Sequence, residues 1–154
     1  MRKITLGALA LTLCLPLAAG ADEAAPENYI KYRQQYMTAL GGHVGASAQI
    51  VRGRVAPEGH LARHAAAIAE LTRDLTVLFP EDSDFGETEA KENIWSEWKA
   101  FQQAARRAAR AGEAFQAAVQ GGDKAAIGQA FADLGKACKG CHKKFRKKKA
   151  EDAD

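Results

Sequence analysis

Two cysteines and a histidine close to the C-terminus carry the clearest chemical signal in the sequence. They form the run Cys138-Lys139-Gly140-Cys141-His142. Residues three and four apart on a helix lie side by side, so both thiols and the imidazole would share one face. Two thiols at this spacing can form thioethers with the two vinyl groups of one haem, while the adjacent imidazole reaches its iron. The spacing therefore predicts one covalently attached haem c, with His142 as an iron ligand.

The same cysteine pair could instead serve in a redox-active site or a zinc site, and both alternatives are weaker. A thioredoxin-like pair needs a βαβ context and a helix N-terminus, whereas this pair comes late in a helical pattern. A structural zinc site needs four ligands. His43, His60 or His64 could supply one only by coincidence, and we interpret these three histidines as ordinary helix residues.

The first 21 residues have the layout of a secretory signal peptide. Two basic residues at positions 2 and 3 precede an apolar stretch over residues 4–17, and a small-residue cleavage site, Ala19-Gly20-Ala21, follows. The stretch is too short to span a membrane, and Pro16 interrupts it. We therefore predict removal of residues 1–21 and a periplasmic location, with residues 22–154 as a single domain. Cys14 leaves with the signal peptide, so the mature chain keeps only the two cysteines of the motif.

The charge balance excludes one class of partner. The chain has 22 basic and 19 acidic residues, a formal net charge of +3, and loss of Arg2 and Lys3 lowers it to +1. A near-neutral protein lacks the positive field that nucleic-acid binding needs. No second apolar run approaches membrane length, so we expect no membrane contact in the mature form.

Apolar residues recur at helical spacing along the whole mature chain, and strand signals are absent. The pattern predicts four helices, from Pro26 to Val51, Pro57 to Leu78, Thr88 to Val119 and Lys124 to Lys149. Gly41-Gly42 weakens the first helix and can allow close packing. Gly121-Gly122 ends the third helix, and Asp123 can cap the fourth. We predict an all-α, antiparallel up-down-up-down four-helix bundle with the cysteines on the inner face of the last helix.

With this motif and this helix pattern, the chain resembles the cytochrome c′ family, the class II c-type cytochromes. The resemblance covers nearly the whole mature chain and is carried by three segments: Lys31-Tyr32-Arg33-Gln34, Asn93-Ile94-Trp95-Ser96 and the run from Cys138 to Arg146. It implies a haem in the bundle core, His142 as the proximal iron ligand, and often a homodimer formed through the first two helices.

The resemblance also assigns Met37 to the distal side of the haem. In cytochrome c′ the residue at this point is apolar and does not bind the iron, whereas low-spin relatives of the same fold place a ligating methionine in the first helix. Met37 is compatible with both arrangements. As an ordinary residue it would simply fill the bundle core.

Four further contacts with haem are implied by resemblance. Arg33 and Gln34 approach a propionate, Glu89 falls near a position where an acidic residue does likewise, and Arg146 shapes access to the proximal side. Three of these residues, Arg33, Glu89 and Arg146, have a structural alternative. Arg33 could extend its charge to solvent, Glu89 could be an exposed acid at a helix N-terminus, and Arg146 a cation at a helix C-terminus.

A basic run follows the motif and comprises Lys143, Lys144, Arg146, Lys147, Lys148 and Lys149. It could steer an acidic redox partner, although a solvated face that complements the helix dipole is the favoured interpretation.

Two functions therefore stay open. A five-coordinate iron in an apolar pocket would bind NO or CO and exchange electrons, whereas ligation by Met37 would give a six-coordinate, low-spin electron carrier. An enzyme such as a peroxidase is not supported, because no distal acid–base pair is evident.

Overall fold

The computed structural model describes residues 25–147, and helices account for most of this range. Helix α1 spans Pro26–Val51, α2 His60–Arg73, α3 Asn93–Ser96, α4 Trp98–Gly121 and α5 Lys124–Phe145, and a 3₁₀ turn covers Leu75–Leu78. The predicted signal peptide, Lys148 and Lys149 lie outside the described residues.

The four long helices form the predicted bundle. Helix α4 packs against both α2 and α5, while α1 packs on α2 and touches α5 over a smaller area. The most deeply buried large apolar side chains, each at most 2% exposed, all come from the predicted apolar stripes: Ile68, Leu78, Ile94, Phe115 and Leu134. Burial of these stripes is the main stabilising term for a bundle of this size. Within residues 25–147, no helix has the length and apolar character needed to cross a membrane.

Local signals set several helix ends as predicted. Pro26 is the first residue of α1, where its fixed φ suits the helix and its missing N–H costs nothing. Gly122 closes α4 in the left-handed conformation with φ of 77°. Asp123 caps α5, because its Oδ1 accepts a hydrogen bond from the Ala126 N–H at 2.7 Å.

The apolar pattern predicts a second helix over residues 57–78, but α2 is shorter at both ends. Gly59 has φ of 69°, which places it outside the right-handed helical region and delays the start. At the other end Asp74 has φ of −121° and ψ of 39°, and a 3₁₀ turn follows. The turn keeps Leu75 and Leu78 buried while it redirects the chain. Apolar spacing alone does not distinguish this turn from continued α-helix.

The predicted third helix, which begins at Thr88, and the predicted fourth helix also differ from the structure, at residues 88–92 and directly after Phe145. Residues 88–92 are not helical, because this segment pairs with the last residue of α5 and the two residues after it. The Lys91 N–H donates to the Phe145 carbonyl at 3.0 Å, and the Lys147 N–H donates to the Glu89 carbonyl at 2.7 Å. Helix α5 therefore ends at Phe145, and α4 follows the short α3 only after a break at Glu97.

Close helix packing occurs at a different glycine from those expected. Helix α1 continues through Gly41 and Gly42, but a Cβ at either position would meet nothing within 4 Å among residues 25–147, so neither glycine permits close helix packing within this part of the chain. Gly112 of α4 is the tight contact: a Cβ would lie 2.5 Å from Thr72 Oγ1 and 3.3 Å from Ala69 Cα. The spacing between α2 and α4 thus depends on the missing side chain.

We expect Gly112→Ala to destabilise the protein by about 1–3 kcal/mol, because the extra methyl overpacks a buried helix contact. The melting temperature should fall by about 3–10 °C. Gly135→Ala is the matched control, since it adds the same methyl in α5 where nothing lies within 4 Å. The control should raise stability by about 0.4–1 kcal/mol. Circular dichroism during thermal unfolding measures both melting temperatures. Equal changes in the two variants would contradict the assignment of Gly112 as the tight contact.

Candidate haem-binding cavity

One cavity of about 530 Å³ lies between α1, α4, α5 and the loop after the 3₁₀ turn. All eight side chains predicted for the site line it: Arg33, Gln34, Met37, Glu89, Cys138, Cys141, His142 and Arg146. The remaining lining is mostly apolar and includes Leu40, Val44, Leu75, Phe79, Ile94, Phe101 and Phe145. Residues separated by more than 100 positions are thus brought to one concave, largely apolar site of a size typical for bound small molecules.

The cysteine pair lies on the α5 wall, partly buried against the core and without a disulfide. Burial raises the pKa of the Cys138 thiol, and burial together with the neighbouring Cys138 raises the pKa of Cys141. Both thiols are therefore protonated at neutral pH. A thioredoxin-like pair requires the opposite, a depressed thiol pKa at a helix N-terminus, so the geometry disfavours that alternative.

His142 follows the pair one residue later, at the mouth of the cavity. Desolvation lowers the pKa of its imidazole, and nearby Arg146 lowers it further, while Glu89 opposes both effects. The ring is therefore neutral at pH 7, which is the form that binds a metal. Within residues 25–147, no three His, Cys, Asp or Glu side chains are grouped to hold a metal ion.

Arg33 is held in the protein interior, 4% exposed. Its Nη1 donates to the Leu78 carbonyl at 3.2 Å and to Ser83 Oγ at 3.1 Å, and its Nη2 donates to the Ser83 carbonyl at 2.9 Å and to Thr88 Oγ1 at 2.8 Å. The guanidinium also lies 4.7 Å from the centre of the Phe79 ring. The alternative of a solvent-directed side chain is therefore wrong.

The electrostatics around Arg33 favour an anionic group in the cavity. All four hydrogen-bond acceptors of the guanidinium are uncharged, and burial lowers its pKa. A buried cation is costly unless a negative charge compensates it. A propionate would supply that charge, so the position of Arg33 fits the contact implied by resemblance.

Gln34, Glu89 and Arg146 form the rim of the cavity. Gln34 Nε2 donates to the Glu87 carbonyl at 2.6 Å, which fixes the loop to α1. The Glu89 carboxylate lies 3.8 Å from Arg146 Nε. Because α3 begins only at Asn93, the alternative that places Glu89 at a helix N-terminus is wrong. The roles of these three residues toward haem remain predictions.

Met37 lies on the α1 wall, one turn beyond Arg33, whereas His142 lies on the α5 wall. Its side chain is partly buried and packs against the core. Leu40 and Val44 continue the same apolar wall along α1.

Sequence reasoning missed the residues of the loop that hold Arg33. Ser83 is fully buried and Thr88 is 9% exposed, although both belong to a polar loop. Their hydroxyls matter because they face a residue about 50 positions earlier in the chain. No local pattern marks them.

The basic run is divided between ion pairs and solvent. Lys144 Nζ lies 2.5 Å from Glu97 Oε2 and links the end of α5 to the start of α4, and Arg146 faces Glu89. Lys143 and Lys147 are exposed. The described part of the run therefore combines structural contacts with a solvated face.

Comparison with known proteins identifies the relatives of the chain. The family model described as Cytochrome C' matches residues 28–146. Cytochrome c' of Pararhodospirillum photometricum is 41% identical over 124 residues, which cover 80% of this chain and 99% of the relative. Cytochrome c' of Rhodospirillum rubrum is 35% identical over 146 residues, covering 94% of this chain and 97% of the relative.

The solved structures with a similar fold belong to the same family as these sequence relatives. Cytochrome c' from Rubrivivax gelatinosus superposes with a TM-score of 0.75 at 34% identity and covers 80% of this chain and 98% of its own. A variant of cytochrome c prime from Alcaligenes xylosoxidans, solved as its nitric oxide complex, gives a TM-score of 0.76 at 29% identity, covering 82% and 98%. Another variant of that protein was solved with carbon monoxide bound.

The residues present in the cavity fit a covalently attached haem. Two adjacent thiols and a neutral imidazole lie on one wall, and a buried guanidinium with uncharged partners lies on another. The matched family consists of haem proteins rather than enzymes. The chain therefore belongs to the cytochrome c′ family and carries covalently attached haem c.

Proposed function

We propose that this chain is a periplasmic haem protein that binds NO and CO at a five-coordinate iron and exchanges electrons. The apolar cavity between Met37 and His142 is the observation that carries this function. When bound, haem supplies an iron that takes a diatomic ligand and changes oxidation state by one electron. The NO and CO complexes of related proteins support the same ligand class.

The α5 wall supplies the attachment. Cys138 and Cys141 would hold the group through thioether bonds from one face of α5. His142 presents a neutral imidazole beside them and acts as the proximal ligand. The buried Arg33 would compensate a propionate charge, and Arg146 on the rim would limit access to the proximal side.

The α1 wall favours neutral ligands. Its side chains at Met37, Leu40 and Val44 offer no hydrogen-bond donor. The hydroxyl of Thr72, which also lines the cavity, donates to the Ile68 carbonyl at 2.8 Å and is not free for a ligand. The Thr38 hydroxyl likewise donates to the Gln34 carbonyl at 2.9 Å, so the wall formed by Met37, Leu40 and Val44 offers a bound ligand no free donor. Such a surface does not stabilise the partial negative charge of bound O₂, which favours NO and CO.

A six-coordinate electron carrier is the second candidate, and the position of Met37 favours it. The side chain lines the cavity and is only partly buried, so a thioether sulfur is available on the wall that does not carry His142. A fixed second ligand would keep the iron geometry similar in both oxidation states, which suits rapid electron transfer, and would close the iron to gases.

The visible spectrum of the purified ferric protein tests the proposal. We expect a high-spin spectrum at neutral pH, because His142 is then the sole protein ligand, and we expect the ferrous form to bind CO stoichiometrically. A low-spin ferric spectrum with a methionine-to-iron charge-transfer band, together with failure to bind CO, would reject the gas binder in favour of the electron carrier.

Export and pairing complete the proposal. The signal-peptide layout of residues 1–21 supports a periplasmic location. Covalent haem attachment supports it independently, since it belongs to exported c-type cytochromes. A homodimer through α1 and α2 follows from the resemblance, and the exposed Tyr32 ring on α1, 57% accessible, offers apolar area for it.

A further inference from the structure

His43 on α1 and His64 on α2 face each other, which corrects their interpretation as ordinary helix residues without partners. Their Nδ1 atoms are 3.0 Å apart, and the ring centres are separated by 5.3 Å. Both side chains are partly exposed. Neither lines the haem cavity, so the pair has no part in the function proposed above.

We propose that His43 and His64 form a two-imidazole site for a divalent transition-metal ion, with Cu²⁺ preferred. Metal–nitrogen bonds of about 2.0–2.1 Å place two ligands at right angles about 2.9 Å apart, and two tetrahedral ligands about 3.4 Å apart. The observed 3.0 Å is close to the right-angle value. Tetragonal nitrogen sites are typical of Cu²⁺ and Ni²⁺, and Cu²⁺ heads the affinity order of the divalent series.

The packing of α1 on α2 sets this separation in advance. Two turns before His43, the Tyr36 hydroxyl donates to the carbonyl of Leu71, at 2.8 Å. Leu71 in turn lies two turns after His64. The Tyr36–Leu71 and His43–His64 contacts therefore belong to one antiparallel register of α1 and α2, and they lie about 10 Å apart along the helices. Because the backbone already aligns the two rings, an ion would bind with little ordering of side chains.

Binding needs no net loss of a proton. In the hydrogen-bonded pair one imidazole donates its Nδ1 proton to the other. That ring can carry the proton on Nε2 instead, through exchange with solvent, and both Nδ1 atoms then offer lone pairs to the ion. Water completes the coordination, because no third His, Cys, Asp or Glu among residues 25–147 is grouped with the pair for metal binding.

Titration of the ferric holoprotein with Cu²⁺ tests the site. The chain has four histidines, and His142 serves the haem, so histidine-dependent copper binding must come from the other three. Calorimetry should give one ion per chain. Electron paramagnetic resonance of the copper signal should show superhyperfine splitting from two imidazole nitrogens, a readout that needs no variant; in the high-spin protein proposed above, the main haem signal would lie apart from it.

Three variants assign the ligands. His43→Gln and His64→Gln should each weaken binding by about 100-fold, because chelation by two linked donors becomes binding by one. His60→Gln is the matched control: it removes an exposed imidazole from the same helix, with its ring centre 6.3 Å from that of His64, and should change the affinity less than about threefold. The haem spectrum and far-ultraviolet circular dichroism verify folding.

Several results would overturn the assignment. Copper binding that survives in the His43→Gln, His64→Gln double variant would place the ion elsewhere, for example on the terminal amine. An equal loss of copper affinity in the His60→Gln variant would reject the pair as the binding site. A stoichiometry of half an ion per chain would also reject it, because one ion would then be shared between two copies of the chain. A wild-type copper signal without nitrogen splitting rejects it even if a variant fails to fold.

Discussion

Replacing His142 by alanine should abolish the native haem spectrum while the colour stays attached to the protein. Cys138 and Cys141 would still hold the group, but the cavity wall would present no imidazole to the iron. The other described histidines do not line the cavity and cannot replace it. Absorption spectroscopy of the purified variant measures the effect, which we expect to be complete rather than graded.

Rescue by imidazole separates the loss of a ligand from the loss of the fold. His142 is exposed at the mouth of the cavity, so free imidazole should enter the space left by the substitution and restore a histidine-like spectrum. His60→Ala serves as the control, because it removes an exposed imidazole from α2 outside the cavity and should leave the spectrum unchanged. Retention of the native spectrum in His142→Ala would disprove the ligand assignment.

The helices and the attachment motif could be predicted because their signals are local. Pro26 starts α1, Gly122 ends α4 and Asp123 caps α5, and each acts through its own backbone conformation or through a contact three residues away. The motif at Cys138–His142 is local in the same sense, since one turn of α5 brings its three functional side chains together. Apolar periodicity then identifies the faces that pack.

The segment between α2 and α4 could not be predicted, because distant residues determine its conformation. Arg33 binds Leu78, Ser83 and Thr88 from 45 to 55 positions earlier in the chain. The backbone of residues 89–91 pairs with residues 145–147. A propensity for helix at residue 88 is overridden by these contacts, which exist only after the bundle has formed.

The same reasoning explains why the roles of α1 residues are harder to predict than those of α5. Arg33 is a charged residue on an apolar stripe, and the sequence alone allowed it to face solvent. Its burial follows from loop oxygens that the sequence gives no reason to place there. One consequence concerns Met37: the guanidinium one turn earlier ties α1 to the loop, so the α1 wall that carries Met37 is anchored beside the cavity.

Met37→Ala should open the distal side of the cavity and speed CO association with the ferrous protein by about tenfold, which corresponds to removal of a steric barrier of about 1.4 kcal/mol. The resting ferric spectrum should stay high-spin, because in the proposed gas binder the sulfur would lie near the iron without bonding to it. Flash photolysis measures the rate. Ala39→Gly is a matched control on the same helix, since Ala39 is exposed and does not line the cavity.

The opposite outcome follows from the same residue if the sulfur binds. A thioether bond to iron is weak beside that of imidazole, so packing decides whether Met37 is held off or allowed to approach. In a six-coordinate carrier, Met37→Ala would convert a low-spin spectrum to high-spin and lower the reduction potential, because thioether ligation favours ferrous iron. A spin-state change on substitution would therefore reject the gas-binding proposal, whereas faster CO binding without such a change would reject ligation by Met37.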